Sequence, residues 1–307
     1  MQNQSMTGKR FFAVTLLNVL ITVVEIIGGL VSGSLALLSD AFHNLGDSCS
    51  IILGYVASVI SGRPETAQRT YGYRRAEILA ALVNATFLII VSVFLIIEAI
   101  KRLNHPTHIN GGIMLTVAVI GFVANLVSAL LLHSGSHDNL NVKATYLHIL
   151  SDALSSVAVI VGGLILTFIN VPWLDPLLTI AVAVYIGYEA CPIIMQTLKI
   201  HMQSAPNLDY EAIANDIKKL DGVNDVHHIH AWMIDEHRII FSAHLNCDDL
   251  PLSQIEPIYS EVEQLLHNKY GICHVTIQAE CQRGSDEQLF NTPVDKKNMG
   301  SDASFKN

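Results

Sequence analysis

The sequence predicts an α-helical polytopic membrane protein of six transmembrane helices, followed by a small α+β ferredoxin-like (αββαβ) domain on the cytosolic side. Three observations lead there. The 307 residues are 51% hydrophobic, with a mean hydropathy of +0.42, more apolar than soluble domains of this size. Six separate runs reach the roughly 20 apolar residues that a membrane helix needs. After Pro206 the apolar runs stop, and short amphipathic segments typical of a water-soluble domain begin.

The expected spans lie near Phe11–Val31, Leu37–Ser61, Ala76–Lys101, Gly112–His133, Lys143–Ile169 and Leu174–Lys199. With a cytoplasmic N-terminus, one side of the membrane collects Lys9, Arg10, Arg63, Arg69, Arg74, Arg75, Lys143 and Lys199. The other side holds only Lys101 and Arg102. Basic residues concentrate in cytoplasmic loops, so both termini are expected inside. Lys9 and Arg10 precede the first run, but no small-residue cleavage site follows, so that run reads as a span and not a signal peptide. Residues 1–205 form the expected transport domain.

Residues 206–282 form the expected cytosolic domain. Leu208–Leu220 has helical spacing and ends at Asp221-Gly222. Val223–Ile234 and Arg238–Cys247 read as two strands around a short turn. Leu252–Tyr270 is a second helix, stopped by Gly271, and Ile272–Ala279 is a third strand. Residues 283–307 are polar and aperiodic and are expected to form a disordered tail. The domain has 4 basic against 13 acidic residues and so holds the excess negative charge of the chain. That balance argues against nucleic acid as a partner. The five cysteines, Cys49, Cys191, Cys247, Cys273 and Cys281, form no CxxC pair. A disulfide framework is not expected.

The most informative residues are His43 with Asp47 and His148 with Asp152. Both are His-x-x-x-Asp pairs inside apolar segments, the expected second and fifth spans. A four-residue step puts both side chains of a pair on one helix face. Ionisable residues at membrane depth are costly and mark ion paths or sites. One such pair is readily explained as a contact between helices. Two matched pairs on separate helices offer two imidazoles and two carboxylates, a tetrahedral set that zinc accepts. Asp40 shares the face of His43 and is read as its supporting partner or as a cap. Asn44, Glu25, Asn84 and Asn125 are read as helix-to-helix contacts. Glu98 is read as an ion pair with Lys101 and Arg102. Glu189 receives no role.

The stretch from Gly28 to Asp47, Gly-Gly-Leu-Val-Ser-Gly-Ser-Leu-Ala-Leu-Leu-Ser-Asp-Ala-Phe-His-Asn-Leu-Gly-Asp, resembles the signature of the cation diffusion facilitator family. So does the stretch from His148 to Ser156, His-Ile-Leu-Ser-Asp-Ala-Leu-Ser-Ser. The resemblance extends to about residue 282 and is nearest to the zinc/cadmium/cobalt efflux branch. It implies a transport site at His43, Asp47, His148 and Asp152, with zinc preferred because a His stands first and cadmium tolerated. It also implies proton antiport, a homodimer, and a place in a bacterial plasma membrane. Metal ligands must lose protons to bind, and imidazole titrates near neutral pH, so exchange of protons for zinc is chemically reasonable.

Within the same resemblance, a His on each of the first two cytosolic strands and an acid ending the third would hold a regulatory zinc. Here these are His227, His244 and Glu280, with His274 and Cys281 as possible additions. A hairpin turn near Glu236–His237 sets residue 229 opposite residue 244, so that His227 and His244 stand diagonally on one face. A further metal site known in part of the family, between the second and third spans, is not expected. Arg69 and Tyr73 stand where its His would fall, and the Arg cluster there is read as a contact for lipid headgroups or for the acidic domain. His133 and His137 are read as solvated loop residues. No Walker or HExxH motif appears, so neither ATP coupling nor enzyme activity is expected, and no cofactor beyond bound zinc. The alternatives are a passive divalent-metal channel or importer, or a membrane metal sensor.

Overall fold

A computed structural model of the chain describes residues 2–133, 140–169, 171–284 and 287–290. Side chains are described from Val14 onward, except 132–148, 151 and 154–155. The chain forms two compact units: residues 1–62 with 79–197, and residues 63–78 with 198–307.

Six long helices supply the first unit: α1 (Gln2–Ser32), α2 (Leu35–Ser61), α3 (Arg75–Asn104), α4 (Gly111–His133), α5 (Leu140–Phe168) and α6 (Leu174–His201). Among the described residues, four stretches are long and apolar enough to cross a membrane: Val14–Ser32, Arg75–Asn104, Gly111–Leu131 and Leu174–His201. The sequence reading expected six. The two helices outside that set, α2 and α5, are those that carry the His-x-x-x-Asp pairs. Ser39, Asp40, His43, Asn44, Asp47 and Ser48 dilute the apolar character of α2. In α5 a shorter apolar stretch, Ser156–Phe168, remains. Large side chains such as Leu30, Ile90, Phe94 and Leu130 point outward, as expected of helices that are apolar all round.

Close approach between α4 and α5 depends on Gly163. A Cβ there would lie 3.1 Å from the backbone N and Cα of Leu115. Small residues at such crossings let helix backbones pack directly.

The start of α2 is held from elsewhere in the chain. Ser34 caps it, its hydroxyl accepting from the Leu37 amide at 3.1 Å. Asp175, wholly buried near the start of α6, accepts from the Leu35 amide at 2.9 Å, the Ala36 amide at 3.2 Å and the Ser34 hydroxyl at 2.5 Å. A carboxylate here satisfies orphan amides and faces the positive end of the helix dipole. Arg102, near the end of α3, donates to the Gly33 carbonyl at 2.5 Å in the turn before α2. It also pairs with Glu98, as does Lys101.

The second unit contains α7 (Tyr210–Ile217), β1 (Val223–Asp235), β2 (Arg238–Cys247), α8 (Leu252–Tyr270) and β3 (Ile272–Glu280), the expected αββαβ order. The three strands run β1-β2-β3, with β1/β2 antiparallel and β2/β3 parallel. Ile213 and Ile217 of α7 and Ile258, Val262 and Leu266 of α8 share one core with Val226, Phe241, Ala243 and Leu245 of the sheet. The segment 63–78 belongs to this unit, and there the Tyr71 ring meets the edge of His274 at 6.2 Å. Arg69 stacks over Tyr73 at 4.4 Å.

Within the segment expected as a tail, the described residues 287–290 return to the second unit. The Ile229 amide donates to the Leu289 carbonyl at 2.9 Å. Leu289 packs on the core and Phe290 meets Tyr210 edge-on at 5.5 Å. Two apolar residues suffice to dock this short return, and its pairing with β1 satisfies its backbone.

Asp216 ties α7 to α8. It accepts from Lys219 at 2.8 Å and from the Tyr270 hydroxyl at 2.6 Å, and it pairs with Lys269. The bond from Lys219, then those from Lys269 and Tyr270, hold its carboxyl well below the usual carboxylate range. A depressed folded-state pKa stabilises the fold above the ordinary carboxylate pKa, and the effect is lost as pH falls through the folded value. Hydrogen-exchange protection of α7 amides is therefore expected to hold down to the ordinary carboxylate range and to drop on acidification below it, and Asp216→Asn should remove that pH dependence. Asp175→Ala, which leaves the Leu35 and Ala36 amides at the start of α2 without their acceptor, is expected to cost about 1–2 kcal/mol, read as a lower melting temperature in detergent.

Candidate metal centres

In the first unit α2 and α5 bring three of the four expected ligands together. His43 Nε2 lies 3.8 Å from Asp47 Oδ2 on its own helix and 3.4 Å from Asp152 Oδ1 on α5. One ligand atom from each of the three falls within 4.8 Å of the others. His43 and Asp152 are buried, and Asp47 is partly so. The backbone of His148 belongs to α5, one turn before Asp152, while its side chain lies outside the described residues. His137 lies outside them altogether, as does the side chain of His133.

The surrounding polar residues brace these helices. Asp40 Oδ2 accepts from Ser156 Oγ at 3.0 Å, which joins α2 to α5 one turn beyond Asp152. Asn44 donates to Glu25 Oε2 at 2.7 Å, which joins α2 to α1. Both contacts are buried and replace hydrogen bonds to water that an apolar setting denies. Sequence reasoning missed Tyr185 and left Glu189 without a role. The Tyr185 ring meets His43 edge-on at 6.5 Å, and its hydroxyl donates to Glu189 Oε1 at 2.5 Å. The spacing of Tyr185 and Glu189 by one helical turn was a usable signal for their mutual bond. The approach of Tyr185 to His43 was not, because it depends on how α6 packs.

In the second unit His227, His244 and Glu280 converge, again with ligand atoms within 4.8 Å. His227 Nε2 is 3.4 Å from Glu280 Oε2, and His244 Nδ1 is 3.2 Å from Glu280 Oε1. The strand pairing differs from the expected diagonal: His227 stands directly opposite His244. Two one-residue irregularities in the β1/β2 ladder, between Met233 and Asp235 and between His227 and His230, move the register by two positions. A β-bulge adds one residue to one strand only, so two of them keep both imidazoles on one face while bringing them closer. Their rings are 5.5 Å apart. Glu280 is carried in by β3, opposite Asn246 of β2.

A turn roofs this cluster. Asn246 donates to the Arg283 carbonyl at 3.0 Å, and Gly284, at φ +67°, lies against the His227 ring. His227 is fully buried as a result. Neither of its ring nitrogens, nor Glu280 Oε2, makes a hydrogen bond among the described residues. Buried polar atoms are ordinarily satisfied, so this cluster has the donor set and the unmet demand that fit a metal ion. His274 is not brought to it. His274 pairs with Ile240, six residues before Glu280 along β3, or roughly 20 Å at strand rise. Cys281 follows Glu280 but turns its thiol toward Asp249, at 3.9 Å. His230 is drawn below the ordinary imidazole range by burial and then by the charge of His228.

The cation efflux transmembrane domain profile matches residues 11–200, and the profile of the cation efflux protein cytoplasmic domain matches residues 205–282. The chain belongs to the cation efflux family, the cation diffusion facilitators. Its relatives lie on the zinc, cadmium and cobalt branch. A "Cadmium, cobalt and zinc/H(+)-K(+) antiporter" of Bacillus subtilis (strain 168) is 38% identical over 264 residues, 85% of each chain. "Zinc transporter ZitB" of Escherichia coli (strain K12) is 36% identical over 263 residues, 85% of this chain and 83% of that one. "Metal cation efflux system protein CzcD" of Cupriavidus metallidurans (strain ATCC 43123 / DSM 2839 / NBRC 102507 / CH34) is 34% identical over 273 residues, 88% and 86% respectively. Family members of this kind are transporters, not enzymes.

Gly284→Ala tests the roof over the cytosolic cluster. A Cβ at this position would lie 2.4 Å from His227 Nε2, on a backbone that L side chains rarely adopt. A loss of about 1–2 kcal/mol is expected from the backbone conformation alone. It should appear as a lower melting temperature, together with a displaced imidazole resonance for His227.

Proposed function

We propose that this cation efflux protein is a proton-coupled zinc exporter that tolerates cadmium and binds its cargo at His43, Asp47, His148 and Asp152. The observation that carries this reading is the convergence of His43 and Asp47 of α2 with Asp152 of α5 between otherwise apolar helices. His148, one turn before Asp152, is the fourth ligand by the same helical spacing that joins His43 to Asp47.

Proton coupling follows from the atom at which the carboxylates converge. His43 Nε2 faces both Asp47 and Asp152. A proton on that nitrogen leaves a cation between two anions. A zinc ion bound by the same nitrogen requires the proton to leave. Metal and proton thus compete for one atom, so the site alternates between them without being stranded as uncompensated charge at membrane depth. Facing the cytoplasm, zinc displaces protons; facing outward, incoming protons displace zinc. The names of the relatives, two of them zinc transporters or antiporters, support the same cargo and coupling.

In this reading α1 to α6 all span a bacterial plasma membrane, with both termini in the cytoplasm and lipid around the apolar faces. The αββαβ unit is a ferredoxin-like cytosolic domain. There His227, His244 and Glu280 would hold a regulatory zinc, and two chains pair through these domains. The basic segment 63–78 supports the cytoplasmic side of the scheme.

The test is zinc flux in proteoliposomes under an imposed pH gradient, with intact protein and with Asp152→Ala. Gradient-driven uptake is expected for the intact protein and a loss of at least tenfold for the variant. Flux indifferent to the gradient would identify a channel. Flux that survives Asp152→Ala would remove the four-ligand site.

A further inference from the structure

The register irregularity in β1 does more than align His227 with His244. His228 occupies the bulge with φ +53°, a left-handed conformation that costs a non-glycine residue roughly 1–2 kcal/mol. Strain of this kind persists where the surrounding structure over-determines it, often at functional sites. Here it turns the His228 ring over His244, with centroids 4.6 Å apart, and toward His230. His228 Nε2 and His230 Nε2 come to 3.3 Å. Two imidazole nitrogens, each 2.0–2.1 Å from a tetrahedral zinc, stand about 3.3 Å apart.

The other ring nitrogen of His228 is also provided for. Its Nδ1 faces Glu287 Oε2 at 3.8 Å. Glu287 stands there because the return segment is fastened to β1 by the bond from the Ile229 amide to Leu289 and by the packing of Leu289 on the core. A carboxylate opposite the distal nitrogen of an imidazole fixes the tautomer that offers its lone pair to a metal. His230 and Glu287 are exposed, so this pair opens to solvent where His227 is closed off.

We propose that His228 and His230 form a second cytosolic site for a divalent transition metal. It is open to water, oriented by Glu287, and joined to the buried His227/His244/Glu280 cluster through the stacked rings of His228 and His244. Two protein nitrogens leave coordination positions for water, so this ion is held more weakly than one in the buried cluster and exchanges with the solvent.

Zinc titration of the metal-stripped full-length protein in detergent tests this, by counting ions per chain calorimetrically. The variant is His228→Asn with His230→Gln. Asn tolerates the left-handed backbone, so the bulge is kept, and circular dichroism confirms the fold. The expected result is one zinc fewer per chain, lost from the weakest class, with the tighter classes unchanged. The same number of ions with a weakened tight class would overturn the proposal, since both His would then belong to the buried cluster. An unchanged titration would overturn it as well. Glu287→Gln should weaken the open class several-fold without changing the count; no effect would remove its orienting role. The count does not depend on transport, so its failure and the failure of the flux test are separate results.

Discussion

A charged or polar group withdrawn from water has to find its partner within the protein, and in the helical unit several such partners lie on a different helix. His43 meets Asp152 across the α2/α5 boundary. Asp40 meets Ser156 across the same boundary, Asn44 meets Glu25 on α1, and Asp175 of α6 receives the first amides of α2. Apolar helices in an apolar surrounding gain little from contact with each other. These buried polar contacts therefore determine which helix faces which. In effect α2, which carries two of the proposed cargo ligands, is positioned along its length by its polar residues.

That arrangement links architecture to chemistry. A metal site between helices must be stable both with and without its ion, and an unpaired buried charge would cost several kcal/mol. In the proposed exchange, a proton on His43 between Asp47 and Asp152 would balance the site in the absence of metal. The residues proposed to hold the cargo are then also residues that join α2 to α5. The proposed exchange of proton for metal would alter the contacts between α2 and α5 directly, which is what an alternating transporter requires of its binding site.

The second unit solves a related problem with different means. Its metal-competent residues come from three strands and a roof, and two bulges bring two imidazoles into direct opposition. Gly284 closes one side, where any side chain would occupy the space of the His227 ring. The same bulge pushes His228 out to meet His230. One distortion of β1 thus yields a closed imidazole–carboxylate cluster and an open imidazole pair, within reach of each other through the His228/His244 stack.

Much of this was legible in the amino-acid sequence. Helical spacing put His43 beside Asp47, apolar runs marked the long helices, and alternation with turn residues marked αββαβ. Those features depend on neighbours within a few positions, and local stereochemistry dictates them. The sequence also nominated His227, His244 and Glu280, although it set the two imidazoles two registers apart, because a bulge leaves no compositional mark. It placed His274 among possible ligands, where strand length carries it away. It gave no sign that Asp175 would meet the first amides of α2, that Tyr185 would approach His43, or that Leu289 and Phe290 would dock the return segment. Each of those contacts joins residues far apart in the chain, and only the packing of whole elements brings them together. The sequence by itself determined which side chains are able to bind a metal and on which elements they stand. The tertiary structure decided which of them converge, since ligand geometry is fixed by distances between elements, to which no spacing along one strand or helix refers.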